Sequence, residues 1–183
     1  MLTIESINAD QLAQYATIPI SFTMFSRYDV RDNELIEVTC PMLIKDYDAI
    51  GESPLDWSRT FDTRNWKFLL ASGGDLPVGG ATVAINTPGV HMLEGRSDLA
   101  VLWDIRIATA HRGQHIGTQL FEFVERCARE AQCVELKIET QNTNVPACKF
   151  YRAMGCTIKE IRRDAYLDSR VADEVMIIWE KNL

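Results

Sequence analysis

The chain has 183 residues, 46% of them apolar and 25% charged, which fits one ordinary soluble domain spanning residues 1–183. Its net charge of −7 argues against nucleic acid as the main partner and would favour a cationic substrate. Five cysteines, Cys40, Cys127, Cys133, Cys148 and Cys156, form no C-x-x-C pair, so they read as reduced thiols buried as small hydrophobes. The start, MLTIESINADQL, lacks the basic and apolar regions of a signal peptide, and no run reaches the ~20 apolar residues of a membrane span. A cytoplasmic protein with no membrane partner is expected.

Along the chain, LTIESI reads as a short strand and NADQLAQYA as a helix opened by Asn8 or Asp10. SFTMFSRYDV and ELIEVTC, parted by Arg31, Asp32 and Asn33, form either a hairpin or a helical turn and a strand. Residues 46–65 carry five acids against two arginines with no period, and read as a loop or short helix. WKFLLAS and VGGATVAIN, joined through GGDLP, predict a hairpin. DLAVLWDIRIA predicts a long strand in which Trp103, Ile105 and Ile107 alternate with Leu102, Asp104 and Arg106.

From His115 to Ala131, Ile116, Leu120, Val124, Cys127 and Ala131 recur at helical spacing. CVELKIET is again a strand, with Val134, Leu136 and Ile138 facing away from Glu135, Lys137 and Glu139. Asn144 then caps a helix with Pro146 in its first turn. Ala147, Phe150, Tyr151 and Met154 share a face, and Gly155 ends the helix in a left-handed conformation. CTIKEIRRDAYL and ADEVMIIWE close the chain as an antiparallel pair, giving a mixed α/β sheet with helices on both faces.

The stretch TAHRGQHIGTQL, Thr109–Leu120, joins a strand to a helix through Arg112, Gly113 and Gly117. The first amides of a helix lack internal partners and sit at the positive end of its dipole, and glycines let a bulky anion approach. Arg112 can add a charge-assisted bond. The amides of residues 113–118 are therefore read as the seat of a phosphate-bearing cofactor. The chain lacks the lysine of a P-loop and the glycine pattern of a dinucleotide fold. His111 and His115 are four apart, but the Arg112-Gly113 turn breaks a helical metal pair, and no metal is expected.

Arg112-Gly113-Gln114-His115-Ile116-Gly117 resembles motif A of the GNAT superfamily of N-acetyltransferases, [QR]-x-x-G-x-[GA], and NVPACKFYRAMG resembles the family's later N-x-x-A-x-x-F-Y-x-x-x-G pattern. The WDIRIA strand and ETQNTNVPACKFY are most similar to the streptothricin acetyltransferase branch. The resemblance implies a mixed, mostly antiparallel central sheet whose fourth and fifth family strands splay apart. It implies acetyl-coenzyme A as cofactor, held by Ile105, Arg106 and Ile107 on the strand edge, by Arg112, Gly113, Gln114, His115, Ile116, Gly117 and Thr118 in the motif, and by Asn144 and Tyr151. A homodimer through terminal strands is also implied. His115 stands in place of the first motif glycine; it crowds the diphosphate if the backbone there needs glycine geometry, but costs little, and can assist the phosphate, if it is already helical. The second geometry is the expected one. Cys156 stands where the family commonly has phenylalanine.

Acetyl transfer to an amine needs a base, a group for the developing oxyanion and an acid for the departing thiolate. By resemblance, Tyr151 is the acid, against a core aromatic on its helical stripe. Asp104, inside an apolar strand, is the first candidate for base or amine binding, against a plain ion pair with Arg106; Glu139 competes for the role. The acidic stretch 46–65 with Trp57, Trp66 and Tyr28 could line a cationic acceptor site, against a solvated face. The reading is an N-acetyltransferase for a primary amine on a small cationic molecule. A peptide or protein amine, or a coenzyme A-binding module without turnover, is the alternative.

Overall fold

The computed structural model describes residues 1–183 apart from Asn33, Glu52 and Ser169. In chain order its elements are β1 (Leu2–Ile7), α1 (Leu12–Tyr15), β2 (Phe22–Arg31), β3 (Glu34–Lys45), α2 (Trp57–Thr60), β4 (Lys67–Gly73) and β5 (Leu76–Ile85). There follow β6 (Leu99–Ile107), α3 (Ile116–Glu130), β7 (Glu135–Gln141), α4 (Val145–Ala153), β8 (Thr157–Arg162) and β9 (Met176–Asn182). They form two compact units: residues 1–21, 46–136 and 182–183, and residues 22–45 and 137–181. Among the described residues no helix is long and apolar enough to cross a membrane.

In the first unit β1, β4, β5 and β6 lie side by side, each antiparallel to its neighbour. Its faces are defined at two consecutive glycines. A β-carbon on Gly79 would meet Ile107, Ile116 and Leu120, so α3 covers that face; one on Gly80 would meet the ring of Tyr15, so α1 covers the other. Helices therefore pack on both faces. α3 buries Ile116, Leu120, Phe121, Val124 and Ala128, while Cys127 of the expected stripe is only half-buried. On the α1 face Tyr15, Trp57, Trp66, Phe68, Leu99 and Val101 form a buried core with Phe61 and Trp103 packed against it.

β6 does not keep the alternation expected of it. Its register against β5 slips between Thr82↔Asp104 and Val83↔Leu102, which leaves one extra residue, Trp103, on β6. Such a bulge turns two successive side chains to one face. Trp103 joins Phe61 and Trp66 on the α1 face, and Asp104 follows on the same face to reach Tyr15.

In the second unit β2 and β3 are an antiparallel hairpin, which settles the earlier alternative; Asn33 of its expected turn lies outside the described residues. β9 lies between β7 and β8 and runs antiparallel to β8. α4 is capped as expected: Asn144 Oδ1 accepts from the Ala147 amide at 3.2 Å, and Gly155 takes φ +80°. Its buried stripe is Val145, Cys148 and Tyr151 rather than Ala147, Phe150, Tyr151 and Met154. With an N-terminal cap fixing the phase, positions three apart face the sheet and Phe150 stays half-exposed.

Candidate active site

β6 ends at Ile107, and the ladder to β5 is extended by the Ala108 amide bonding to Val78 O at 2.9 Å. A single turn, Thr109–His111, then delivers the chain to Arg112. The Arg112 guanidinium ties the loop down from inside. Its Nε donates to Ile107 O at 3.0 Å and its Nη2 to Ser21 O at 2.7 Å. Gln114 Nε2 closes the loop onto Ala110 O at 3.2 Å.

Gly113 takes φ +76°, a conformation that glycine adopts without penalty, and space is open within 4 Å of where its β-carbon would be. His115 departs from the expected helical geometry. It is the N-cap of α3 with φ 60° and ψ 11°, left-handed, where a β-carbon costs about 1 kcal/mol or more. The imidazole makes no cap bond, and the first α-helical bond runs from the Gln119 amide to His115 O at 3.1 Å. The amides of Ile116, Gly117 and Thr118 therefore have no partner within the helix. A left-handed residue followed by a helical one turns successive amides to one concave side, the backbone form of an anion nest.

Asp104 and Arg106, two other expected site residues, meet on the opposite face of β6. Arg106 is 2% exposed and its guanidinium holds two carboxylates at once. Nε and Nη2 donate to Asp104 at 2.9 and 2.8 Å, Nη1 and Nη2 to Asp48 at 2.8 and 3.0 Å, and Nη1 also to Ile18 O at 3.1 Å. Tyr15 Oη donates to Asp104 Oδ1 at 2.5 Å, and the Arg106 Cζ lies 5.4 Å from the Tyr15 ring centre. Burial alone would weaken the Arg106 charge, but Asp104 and Asp48 outweigh it and raise its pKa above the ordinary value. Burial, and then the Asp104 carboxylate, push the Tyr15 phenol well above 10.0. Asp104 and Arg106 are thus ion-paired.

The remaining expected residues lie in the second unit. Tyr151 is 5% exposed, with its ring 5.5 Å from that of Phe150 and 6.3 Å from that of Trp179. Glu139 Oε1 accepts from Tyr166 Oη at 2.9 Å, and Tyr166 Oη in turn accepts from Gln141 Nε2 at 3.2 Å. Tyr28 is buried, and burial raises its phenol above 10.0. Trp57 and Trp66 do not line a surface site; each is 4% exposed, in the core of the first unit. Among the described residues no group of three or more His, Cys, Asp or Glu side chains is gathered as a metal site.

Three residues with a part in this arrangement were not expected. Tyr15 and Asp48 complete the Arg106 cluster. Asn142 clips β2 to the segment before β9: its main chain and side chain each bond both Tyr28 and Val175, at 2.8–2.9 Å. The one sequence signal for the first of these is the pair Gly79-Gly80 inside a strand, a mark of close approach by another group.

The sequence pattern of the acetyltransferase (GNAT) family matches residues 34–156. A streptothricin acetyltransferase of Escherichia coli is 33% identical over 84 residues, 45% of this chain and 48% of that protein, so the chain spans about half the length of the relatives it matches. The structure of a nourseothricin acetyltransferase superposes with a TM-score of 0.79 at 22% identity, covering 99% of this chain and 98% of that one. A Bacillus anthracis structure solved with acetyl coenzyme A superposes with a TM-score of 0.80 at 23% identity, over 100% and 99% of the two chains. With its mostly antiparallel α/β fold and more than half of its length inside the family pattern, this chain belongs to the acetyltransferase (GNAT) family.

Proposed function

We propose that this chain is an N-acetyltransferase that moves the acetyl group of acetyl-coenzyme A to a primary amine of a small cationic acceptor, of the streptothricin class that its relatives are named for. The observation that carries the reading is the row of helix-end amides behind the left-handed pair Gly113 and His115, with open space beside Gly113. Those amides fit a diphosphate, since backbone donors at a helix start bind anions without needing a counter-charge. Bound there, the cofactor supplies an acetyl group activated as a thioester.

The residues of the chain then have separate tasks. Amides of residues 113–118 hold the diphosphate, and main-chain donors of Ile105–Ile107 meet the acetyl oxygen as it gains charge. Tyr151 Oη gives a proton to the departing sulfur, from a side chain held in place among the rings of Phe150 and Trp179. For the base we favour Glu139 over Asp104. Asp104 accepts from three donors, two of them on a guanidinium, so its oxygens are already engaged. Glu139, acting through a water, takes the proton of the attacking amine.

The test is a pair of measurements on the whole chain: calorimetric titration with acetyl-coenzyme A, and free-thiol release against a panel of amines that includes streptothricin and a lysine peptide. Thiol release with the antibiotic bears out the reading, and release with the peptide alone reassigns the acceptor. Binding without release for any amine makes the chain a coenzyme A-binding module instead.

A further inference from the structure

Arg106 joins three stretches of chain that are distant in sequence: its own strand through Asp104, the segment after α1 through Ile18 O, and the acidic turn Asp48–Ile50 through Asp48. Its side chain is fully buried while that of Asp48 is 27% exposed, so the guanidinium reaches outward from the sheet to hold a surface turn. Both Asp48 oxygens are engaged, at 2.8 and 3.0 Å, in the two-pronged geometry that fixes orientation as well as distance. Arg112 does a parallel job five residues beyond the end of β6, tying the motif loop to Ile107 O and Ser21 O.

We infer that Arg106 is a positioning residue for the acceptor side of the reaction: through Asp48 it pins the acidic turn to the end of β6, and the motif loop is held independently by Arg112. The inference rests on the acetyltransferase reading above. The turn carries Asp46, which is exposed, and Tyr47, which is half-buried, and pinning it keeps these groups beside the strand end assigned to the acetyl oxygen. The turn ends in Gly51 at φ +105°, and inside it the Ile50 and Gly51 amides bond Tyr47 O and Asp48 O. Without the guanidinium it would open locally while the sheet stayed intact.

The test uses Asp48→Asn, which keeps the shape but removes the charge, and Arg106→Lys, which keeps the charge but cannot grip two carboxylates in two-pronged fashion. Hydrogen exchange followed by mass spectrometry should show residues 46–51 exchanging about tenfold faster in Asp48→Asn, with β4, β5 and β6 unchanged. In Asp48→Asn, acceptor KM should rise about tenfold with kcat held within about twofold, while the Kd for acetyl-coenzyme A stays within about twofold. Asp48→Glu should restore part of both losses. Unchanged exchange at 46–51, or a weakened acetyl-coenzyme A Kd with an unaltered acceptor KM, overturns the assignment. If no amine releases thiol from the unaltered chain, the acetyltransferase reading fails on its own, and the exchange result still decides whether Arg106 pins the turn.

Discussion

The ring of Tyr15 lies directly on the backbone of Gly80: a β-carbon there would come within 2.8 Å of Cδ2 and 2.9 Å of Cζ. Because Gly80 pairs with Arg106 across the ladder, this contact sets the height of the phenol over the charged cluster, where it bonds Asp104 at 2.5 Å. Gly80→Ala should therefore do more than crowd a core. Overpacking costs about 1–3 kcal/mol, and losing a bond to a charged acceptor adds about 1.5–3 kcal/mol. Tyr15→Phe should show the second cost without the first. Urea midpoints of both variants check this; a Gly80→Ala protein no less stable than Tyr15→Phe would mean that the ring moves aside freely.

Gly79, on the other face, predicts a different outcome. Its added β-carbon would meet Ile116 Cγ2, a methyl fixed to its branched β-carbon, at 3.1 Å, and two flexible tips, Ile107 Cδ1 at 2.8 Å and Leu120 Cδ1 at 3.2 Å. These can give way, so the stability loss should be about 1 kcal/mol, smaller than at Gly80. Ile116, however, is the first residue of α3, and displacing it moves the amides assigned to the diphosphate. Gly79→Ala should weaken acetyl-coenzyme A about tenfold in calorimetry. An unchanged Kd would show that α3 is not positioned by this contact.

The features that could be read from the chain in advance are local ones. Asn144 caps its helix and Gly155 ends it because each acts within three or four residues through hydrogen bonding or steric freedom. The hairpin β4–β5 and the amphipathic α3 follow from periodicity in the same way. What escaped depends on distant partners. Tyr15 and Asp104 are 89 residues apart, Asp48 and Arg106 58, and nothing local in QYA or DYDAI announces a charge partner. The bulge at Trp103 was invisible because both faces of β6 are apolar at that level, so a one-residue slip leaves the pattern plausible. His115 misled for another reason: its conformation is one that non-glycine residues seldom adopt.

That conformation makes His115 itself a test. Left-handed geometry costs a β-carbon about 1–2 kcal/mol, while glycine loses about 0.5–1 kcal/mol more backbone entropy on folding. His115→Gly should then be more stable by about 0.5 kcal/mol net, measured by denaturant midpoint. Its Kd for acetyl-coenzyme A should be equal or tighter, since the amide remains and the imidazole makes no cap bond. A variant that binds more weakly would show that the imidazole contributes to the phosphate site.

The last prediction concerns pH and a residue that takes no part in the proposed chemistry. Cys148 is 1% exposed, and burial pushes its thiol from 9.0 to about 11, only partly opposed by its contact with the Thr140 hydroxyl at 3.4 Å. Below about pH 9 the thiol is protonated in both folded and unfolded chains and contributes no pH dependence. Between about pH 9 and 11 the unfolded chain releases this proton while the folded chain keeps it, so stability falls with rising pH. Each unit is worth about 1.4 kcal/mol, for roughly 3 kcal/mol across the window. Cys148→Ser keeps a small hydrogen-bonding side chain but removes the titration. The difference in unfolding free energy between the two proteins should therefore change by roughly 2 kcal/mol between about pH 8 and pH 10.5, in favour of the serine variant. A difference that stays constant with pH would mean that water reaches Cys148 readily enough for its thiol to ionise in the folded protein.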